Sequence, residues 1–429
     1  MPWSSPGTVA RFALRENAYT AIIRLNSLFL SSSAVDENPN IRRTKQIWGK
    51  PIYSAGMIKK FLNKESALIP ALTTGGLFLL FGNSWLSDLS NFVRDGILIV
   101  WLFCVIVWGA ISVVRHADGL AINLGEPYGT LILTFSVASL EIMAVAVVML
   151  TGLENPTLAR DTMFSVVMIA LNGLIGLGLL LGGWRYREQG YNLRGVNAYL
   201  GVIISLAIFG LVVPNFTTST AGPTFSSHQE GFLIAMCTGL YAVFLAIQTT
   251  RHREYFLAPQ INGGAGLRAP DRAGDRSYPR STTYHTGLLL CYLALVIYLV
   301  ENLAVLLNYG LDVLAAPPAL GALLVAVLVL SPEGLGAIQA ALQNDLQRTV
   351  NILLGSVLAT LALTIPSVLI IGLIKGTNVI LGLAGVDQVM LLLTLLVSTV
   401  TFASGRTNVL QGAVHLMLFL AYFMLIFWK

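Results

Sequence analysis

Apolar residues run along this chain in blocks rather than in stripes. From residue 66 onward the blocks are about 20 residues long, enough to cross a bilayer core of roughly 30 Å, and polar residues gather between them. Eleven are legible, at about 66–84, 95–114, 128–150, 162–183, 196–214, 230–248, 286–307, 317–340, 350–374, 386–403 and 407–428. Gly376, Asn378, Gly382 and Gly385 punctuate the turn between the ninth and tenth. The pattern predicts an all-α integral membrane protein. Residues 1–64 read as a weakly structured N-terminal extension, in which Ala18 to Leu30 fits a short interfacial helix and Met57 fits an internal start. Residues 65–248 make a first transmembrane half, 249–285 a basic linker loop, and 286–429 a second transmembrane half.

Composition narrows the class further. Of 429 residues, 55% are hydrophobic and 11% charged, against about 25% charged in a soluble domain. Coiled coils, disulfide scaffolds, disordered chains and nucleic-acid binders are excluded. The net charge of +5 belongs to loops. With the N-terminus in the cytoplasm, 22 basic residues fall inside and four outside, namely Arg94, Arg160, Lys375 and Lys429; without the tail the balance is 12 to four. The positive-inside rule thus predicts a multi-pass protein of the cell (inner) membrane with a cytoplasmic N-terminus and an external C-terminus. The linker, rich in Gly, Pro and Arg, cannot bury a core. Cys104, Cys237 and Cys291 lie in apolar runs, where a thiol behaves as a small hydrophobe. Neither a signal-peptide order of segments nor a metalloprotease, hydrolase, dinucleotide or ATP-binding motif is found at a useful place. The reading is therefore a transporter rather than an enzyme or a primary pump, with no cofactor.

Among so few ionisable residues, two cannot escape to a loop. Glu141 and Glu333 lie deep inside the third and eighth blocks, where a charge costs about 2.5 to 3.5 kcal/mol or more. Ser331-Pro332-Glu333-Gly334-x-Gly336 adds a proline that removes a helix hydrogen bond and two weak helix formers, so the helix is expected to break or kink at the carboxylate. Five blocks separate the two acids, and an odd separation reverses orientation. Setting the first block aside leaves five plus five with the acidic block second in each, the arrangement of two inverted five-helix repeats plus one extra N-terminal helix.

At these residues the chain resembles the ChaA-type calcium/proton (sodium-potassium/proton) antiporters of the calcium/cation antiporter superfamily. The resemblance runs from about Val113 to the C-terminus. It rests on Ser112-Val-Val-Arg-His-Ala-Asp118 with Leu124-Gly-Glu-Pro-Tyr-Gly129, on Leu330-Ser-Pro-Glu-Gly-Leu-Gly336 with Leu354-Gly-Ser-Val-Leu-Ala-Thr360, and on Gly405-Arg-Thr-Asn-Val-Leu-x-Gly-Ala-x-His415-Leu416. It implies export of Ca²⁺, with Na⁺ and K⁺ as further candidates, in exchange for H⁺, and it carries the ion-ligand role to Glu141 and Glu333. The chain departs from the wider superfamily in lacking Gly-Asn shortly before each acid, so ion preference does not transfer with the resemblance.

Two facing carboxylates with hydroxyls from Ser139, Ser331 and Ser356 would make an all-oxygen site suited to a hard cation. Competition between cation and proton for the same oxygens is then the coupling device, and rocking of one half against the other exposes the site to alternate sides. Asn172 fits either the ion shell or a packing contact. His415 fits a proton relay or an interhelical hydrogen bond, on a polar stripe with Asn408 and Gln411. Glu301 fits an exit path for protons or an interfacial position, and His116 and Asp118 fit solvated charges at the cytoplasmic mouth. A monovalent-only antiporter and a cation channel are the competing readings. The partners are inorganic cations, protons and the lipid bilayer, and assembly with further copies of the chain is compatible with all of them.

Overall fold

The computed structural model describes residues 65–89, 91–124, 157–220, 222–258 and 281–428, with residues 135, 136, 138–140, 142, 143, 145 and 146 between them. Among the described residues eight helices are long and apolar enough to cross a membrane. In chain order the helices are α1 (Leu68–Ser87), α2 (Phe92–Leu124), α3 (Leu158–Tyr186), α4 (Leu193–Phe216), α5 (Ser227–Arg251), α6 (Thr282–Val313), α7 (Pro318–Leu342), α8 (Leu346–Lys375), α9 (Gly385–Thr401) and α10 (Val409–Phe427). The eight exclude α1 and the 17-residue α9. The N-terminal extension to residue 64, including Met57, lies outside the described residues, as do most of the 128–150 block and linker positions 259–280.

Local chemistry sets the helix ends. Asn192 and Asp345 cap α4 and α8 by accepting from the Arg194 and Arg348 amides, each at 3.1 Å. Ser226 with Gln229 and Asn408 with Gln411 form capping boxes on α5 and α10. Gly376, at φ 68°, takes the left-handed conformation that ends α8. The Asn408–Gln411 pair that reads in sequence as part of a polar stripe is thus the start of a helix.

Two sequence expectations are corrected. The linker begins later than position 249, because α5 continues to Arg251 and a 3-10 turn covers Arg253–Phe256. Those residues are held by the rest of the chain: Asn351 Nδ2 donates to the Phe256 carbonyl at 2.7 Å and Asn192 Nδ2 to the Glu254 carbonyl at 3.1 Å. Nor does α7 break at Glu333; it runs on through Pro332. A proline removes one backbone bond, and packing from outside compensates, since a Cβ at Gly334 would stand 3.0 Å from the Leu174 side chain.

Among the described residues apolar packing forms two large cores and a small third cluster of Leu158, Ala304 and Ala322. Residues of α1, α2 and α6 form one, including Phe78, Leu102, Ile106, Tyr292 and Leu299. Helices α3, α4, α5, α8, α9 and α10 form the other, including Met163, Ile203, Leu353 and Leu391. Helix α7 contributes Leu328 to the first core and Leu330 and Ala337 to the second. It therefore lies between them, and it carries Glu333. A two-strand antiparallel pair, β1 (Glu188–Gly190) with β2 (Arg406–Asn408), joins the end of α3 to the start of α10 in the register Gln189↔Thr407.

Candidate functional site

Glu333 sits on α7 with its carboxylate turned inward. One side of the group takes a hydrogen bond from the Ser356 hydroxyl of α8. The other oxygen, Oε2, is buried and has no hydrogen-bond partner among the described residues. A buried acceptor left unpaired is uncommon enough to need a cause, and an ion or a proton is one. A largely apolar cleft of about 480 Å³ opens between α2, α3 and α7, with Val107, Trp108, Leu174, Ser331 and Gly334 on its walls. It follows the same stretch of α7 as the acid, whose own side chain is not among its walls.

The remaining predicted site residues divide. Ser356 joins Glu333. The Ser331 hydroxyl is committed to the Val327 carbonyl of its own helix, and the Ser139 hydroxyl to the Phe135 carbonyl at 2.6 Å. Glu141 lies outside the described residues. Glu301 is exposed on α6. Among the described residues no group of three or more His, Cys, Asp or Glu is arranged to hold a metal.

Asn172 and His415 meet each other. Asn172 occupies a π-helical stretch of α3, Ile169–Leu174, the kind of bulge that re-aims side chains. Its Oδ1 is 3.0 Å from His415 Nδ1, and its Nδ2 donates to Thr394 Oγ1 at 2.8 Å; His415 Nε2 is 3.0 Å from Thr401 Oγ1. The network ties α3, α9 and α10. Thr394 and Thr401 are absent from the sequence reading, although Asp387, Thr394, Ser398 and Thr401 recur on one face of α9 at helical spacing and are all buried.

A second buried polar cluster was also not anticipated. His116 is 2% exposed, not solvated. Its Nε2 lies 3.1 Å from Glu65 Oε2, and its Nδ1 lies 3.1 Å from His285 Nδ1 on α6. Arg115 pairs with the same Glu65 oxygen, and Tyr284 donates to Glu65 Oε1 at 2.6 Å. Burial by itself would raise the Glu65 carboxyl. The hydrogen bonds from His116 and Tyr284 and the positive charges beside it outweigh that effect and hold it at about 2. Glu65 immediately precedes the first apolar block, and its partners are 50 to 227 positions away, so no local pattern announces the cluster.

A bundle of apolar helices of membrane-crossing length defines a multi-pass membrane protein. The sodium/calcium exchanger protein family matches residues 96–250 and again residues 284–428, and the chain belongs to it. Over 369 residues it is 40% identical to the sodium-potassium/proton antiporter ChaA of Escherichia coli (strain K12), covering 86% of this chain and 98% of that protein. It is 24% identical over 323 residues to the Ca²⁺/H⁺ antiporter ChaA of Bacillus subtilis (strain 168), covering 73% and 87%. Among solved structures, native YfkE shares its fold with a TM-score of 0.64 at 18% identity, over 85% of this chain and 100% of that one. The H⁺/Ca²⁺ exchanger CAX does so with a TM-score of 0.59 at 13% identity, over 84% and 88%. These relatives are exchangers and not enzymes.

Proposed function

We propose that the chain is a cation/proton antiporter that exports Ca²⁺ in exchange for H⁺, with Glu333 and Glu141 as the two acids over which cation and proton compete. The observation that carries the reading is Glu333 Oε2, a buried carboxylate oxygen without a hydrogen-bond partner among the described residues. A proton satisfies it in one state and a cation in the other, so neither ion can leave the site without the other taking its place. Ser356 keeps the first oxygen aimed across to α8.

The family matches fall once in each half, with the basic linker between them, which supports an acid contributed by each of two related units. Movement is assigned to the α1–α2–α6 body against the rest. The support is the division of the apolar core, in which α2 of the first half packs with α6 of the second, so the two halves are not separate rigid bodies. The cytoplasmic N-terminus remains part of the proposal.

A second reading, exchange of Na⁺ or K⁺ without Ca²⁺, is favoured by the name of the 40%-identical relative, a sodium-potassium/proton antiporter. The test is proton release from reconstituted vesicles on separate addition of Ca²⁺, Na⁺ and K⁺ across several pH values. Ca²⁺-dependent release that disappears in Glu333→Gln and Glu141→Gln supports the first reading. Release with monovalent ions alone selects the second, and large currents independent of the proton gradient would replace both with a channel.

A further inference from the structure

The buried contact between His116 and His285 joins the end of α2 to the start of α6, and its geometry allows a limited number of protons. His116 Nε2 faces the Glu65 carboxylate at 3.1 Å, and an ionised carboxylate only accepts, so this nitrogen carries a proton. The two Nδ1 atoms stand 3.1 Å apart, a distance at which one donates and the other accepts. In the neutral pair His285 donates to His116. One added proton leaves the contact intact: on His285 Nε2 it keeps His285 as the donor, and on His116 Nδ1 it makes His116 the donor once the His285 hydrogen has moved to Nε2. A second added proton would place N–H against N–H, and the contact could no longer hold.

The surroundings prevent an easy escape. His285 is packed on Gly119 of α2, where a Cβ would come 2.6 Å from the ring. Tyr292 stacks on His116 with centroids 5.7 Å apart, and Tyr284 meets both rings edge-on. Among the described residues the charged groups around the pair are Glu65 before α1 and Arg115 on α2, whose guanidinium stands 3.4 Å from His116 Nε2, with Asp118 half-buried further along α2. Tyr284 and Tyr292 on α6 are further titratable neighbours.

We propose that the His116–His285 pair is a proton-operated clasp: at low pH the second added proton drives the end of α2 away from the start of α6 and holds back exchange. It is distinct from the Glu333 site, being built on other helices' ends. That the clasp governs exchange rests on the antiport reading; the separation of the helices does not.

The test uses the full chain in lipid nanodiscs with Cys104, Cys237 and Cys291 replaced by Ser and spin labels at the exposed positions Ile122 and Leu290. The expected result is a longer mean label distance at pH 5 than at pH 8. That lengthening should be lost in His285→Gln and, independently, in His116→Gln. Vesicle exchange by His285→Gln should match the parent at pH 8 and lose the parent's inhibition at acid pH. An unchanged distance in the parent, or the same lengthening in both variants, overturns the proposal. A protein that moves no cation yet separates its labels would defeat the antiport reading and leave the clasp standing; an active exchanger with a constant distance would do the reverse.

Discussion

His415 Nδ1 stands 3.0 Å from Asn172 Oδ1, joining residues 243 positions apart in the chain. An amide oxygen only accepts, so Nδ1 carries the hydrogen and Nε2 receives the Thr401 hydroxyl, while Asn172 uses its amide nitrogen on Thr394. Every group is committed, as in a structural lock between α3, α10 and α9. Replacing His415 by Leu leaves Asn172 and Thr401 buried with a partner missing, which costs about 1 to 3 kcal/mol. The Asn172→Leu, His415→Leu double variant should lose less than the sum of the single losses. Thermal unfolding of the four proteins measures the coupling, and strict additivity would remove the lock.

Helices α3 and α10 cross at Gly176 and Gly412. A Cβ at Gly412 would lie 2.5 Å from the Leu180 amide nitrogen and 2.9 Å from the Gly176 carbonyl, both backbone atoms that cannot turn aside. Gly412→Ala should therefore lose about 1 to 3 kcal/mol through overpacking. Gly201→Ala, with nothing within 4 Å of its Cβ, should be neutral or gain up to about 1 kcal/mol in helix propensity. Melting temperatures of the two variants in the same detergent compare them directly.

Gln189 clasps the turn between the acid-bearing helix α7 and α8. Its Nε2 donates to the Ala341 carbonyl at 2.9 Å and to Asn344 Oδ1 at 3.1 Å, and its side chain occupies the space a Cβ at Gly182 would need. Gly182→Ala and Gln189→Ala should produce the same defect, faster hydrogen exchange over residues 341–347, and should not add when combined. Additive effects in the double variant would separate the two positions.

Glu65 predicts an acid dependence of stability. Its folded-state value of about 2 lies below the ordinary 4.5, so the unfolded chain binds the proton first as pH falls. The contribution is complete above about 4.5 and drains away as pH drops toward about 2. Glu65→Gln should flatten the decline in that window and lower stability at pH 7 by about 3 kcal/mol, the loss seen when one member of a buried ion pair is removed. Unfolding measured at pH 2 to 7 checks both; an unaltered acid limb in the variant would refute the assignment.

Ser356 should tune the proposed cation site at Glu333 without supplying its charge. Ser356→Ala withdraws one hydroxyl from Glu333, a change of about 1 kcal/mol, so the cation concentration for half-maximal proton release should rise about fivefold with the maximal rate retained. Titration of proton release in vesicles reads the difference, and an unchanged half-maximal concentration would mean that the bond does not outlast ion binding.

The amino-acid sequence alone determined the helices, because each answers to neighbours within a few positions. Blocks of about 20 apolar residues and the turn at Gly376 are short-range signals read directly from the chain; the capping pairs Ser226–Gln229 and Asn408–Gln411 are just as local, although the second reads as a polar stripe until the helix start is seen. It also marked Glu333 as an acid that cannot reach a loop. Tertiary structure decided which polar groups face one another, because the energy of a buried polar group depends on a partner that chain distance does not encode. Asn172 and His415, each ambiguous on its own span, became a single lock; His116, expected in solvent, was enclosed by Glu65 and His285. Pro332 bent the sequence argument toward a broken helix, whereas packing from α3 against Gly334 kept α7 whole. The division into two cores is likewise beyond periodicity, which finds the apolar face of a helix but not the helix that covers it.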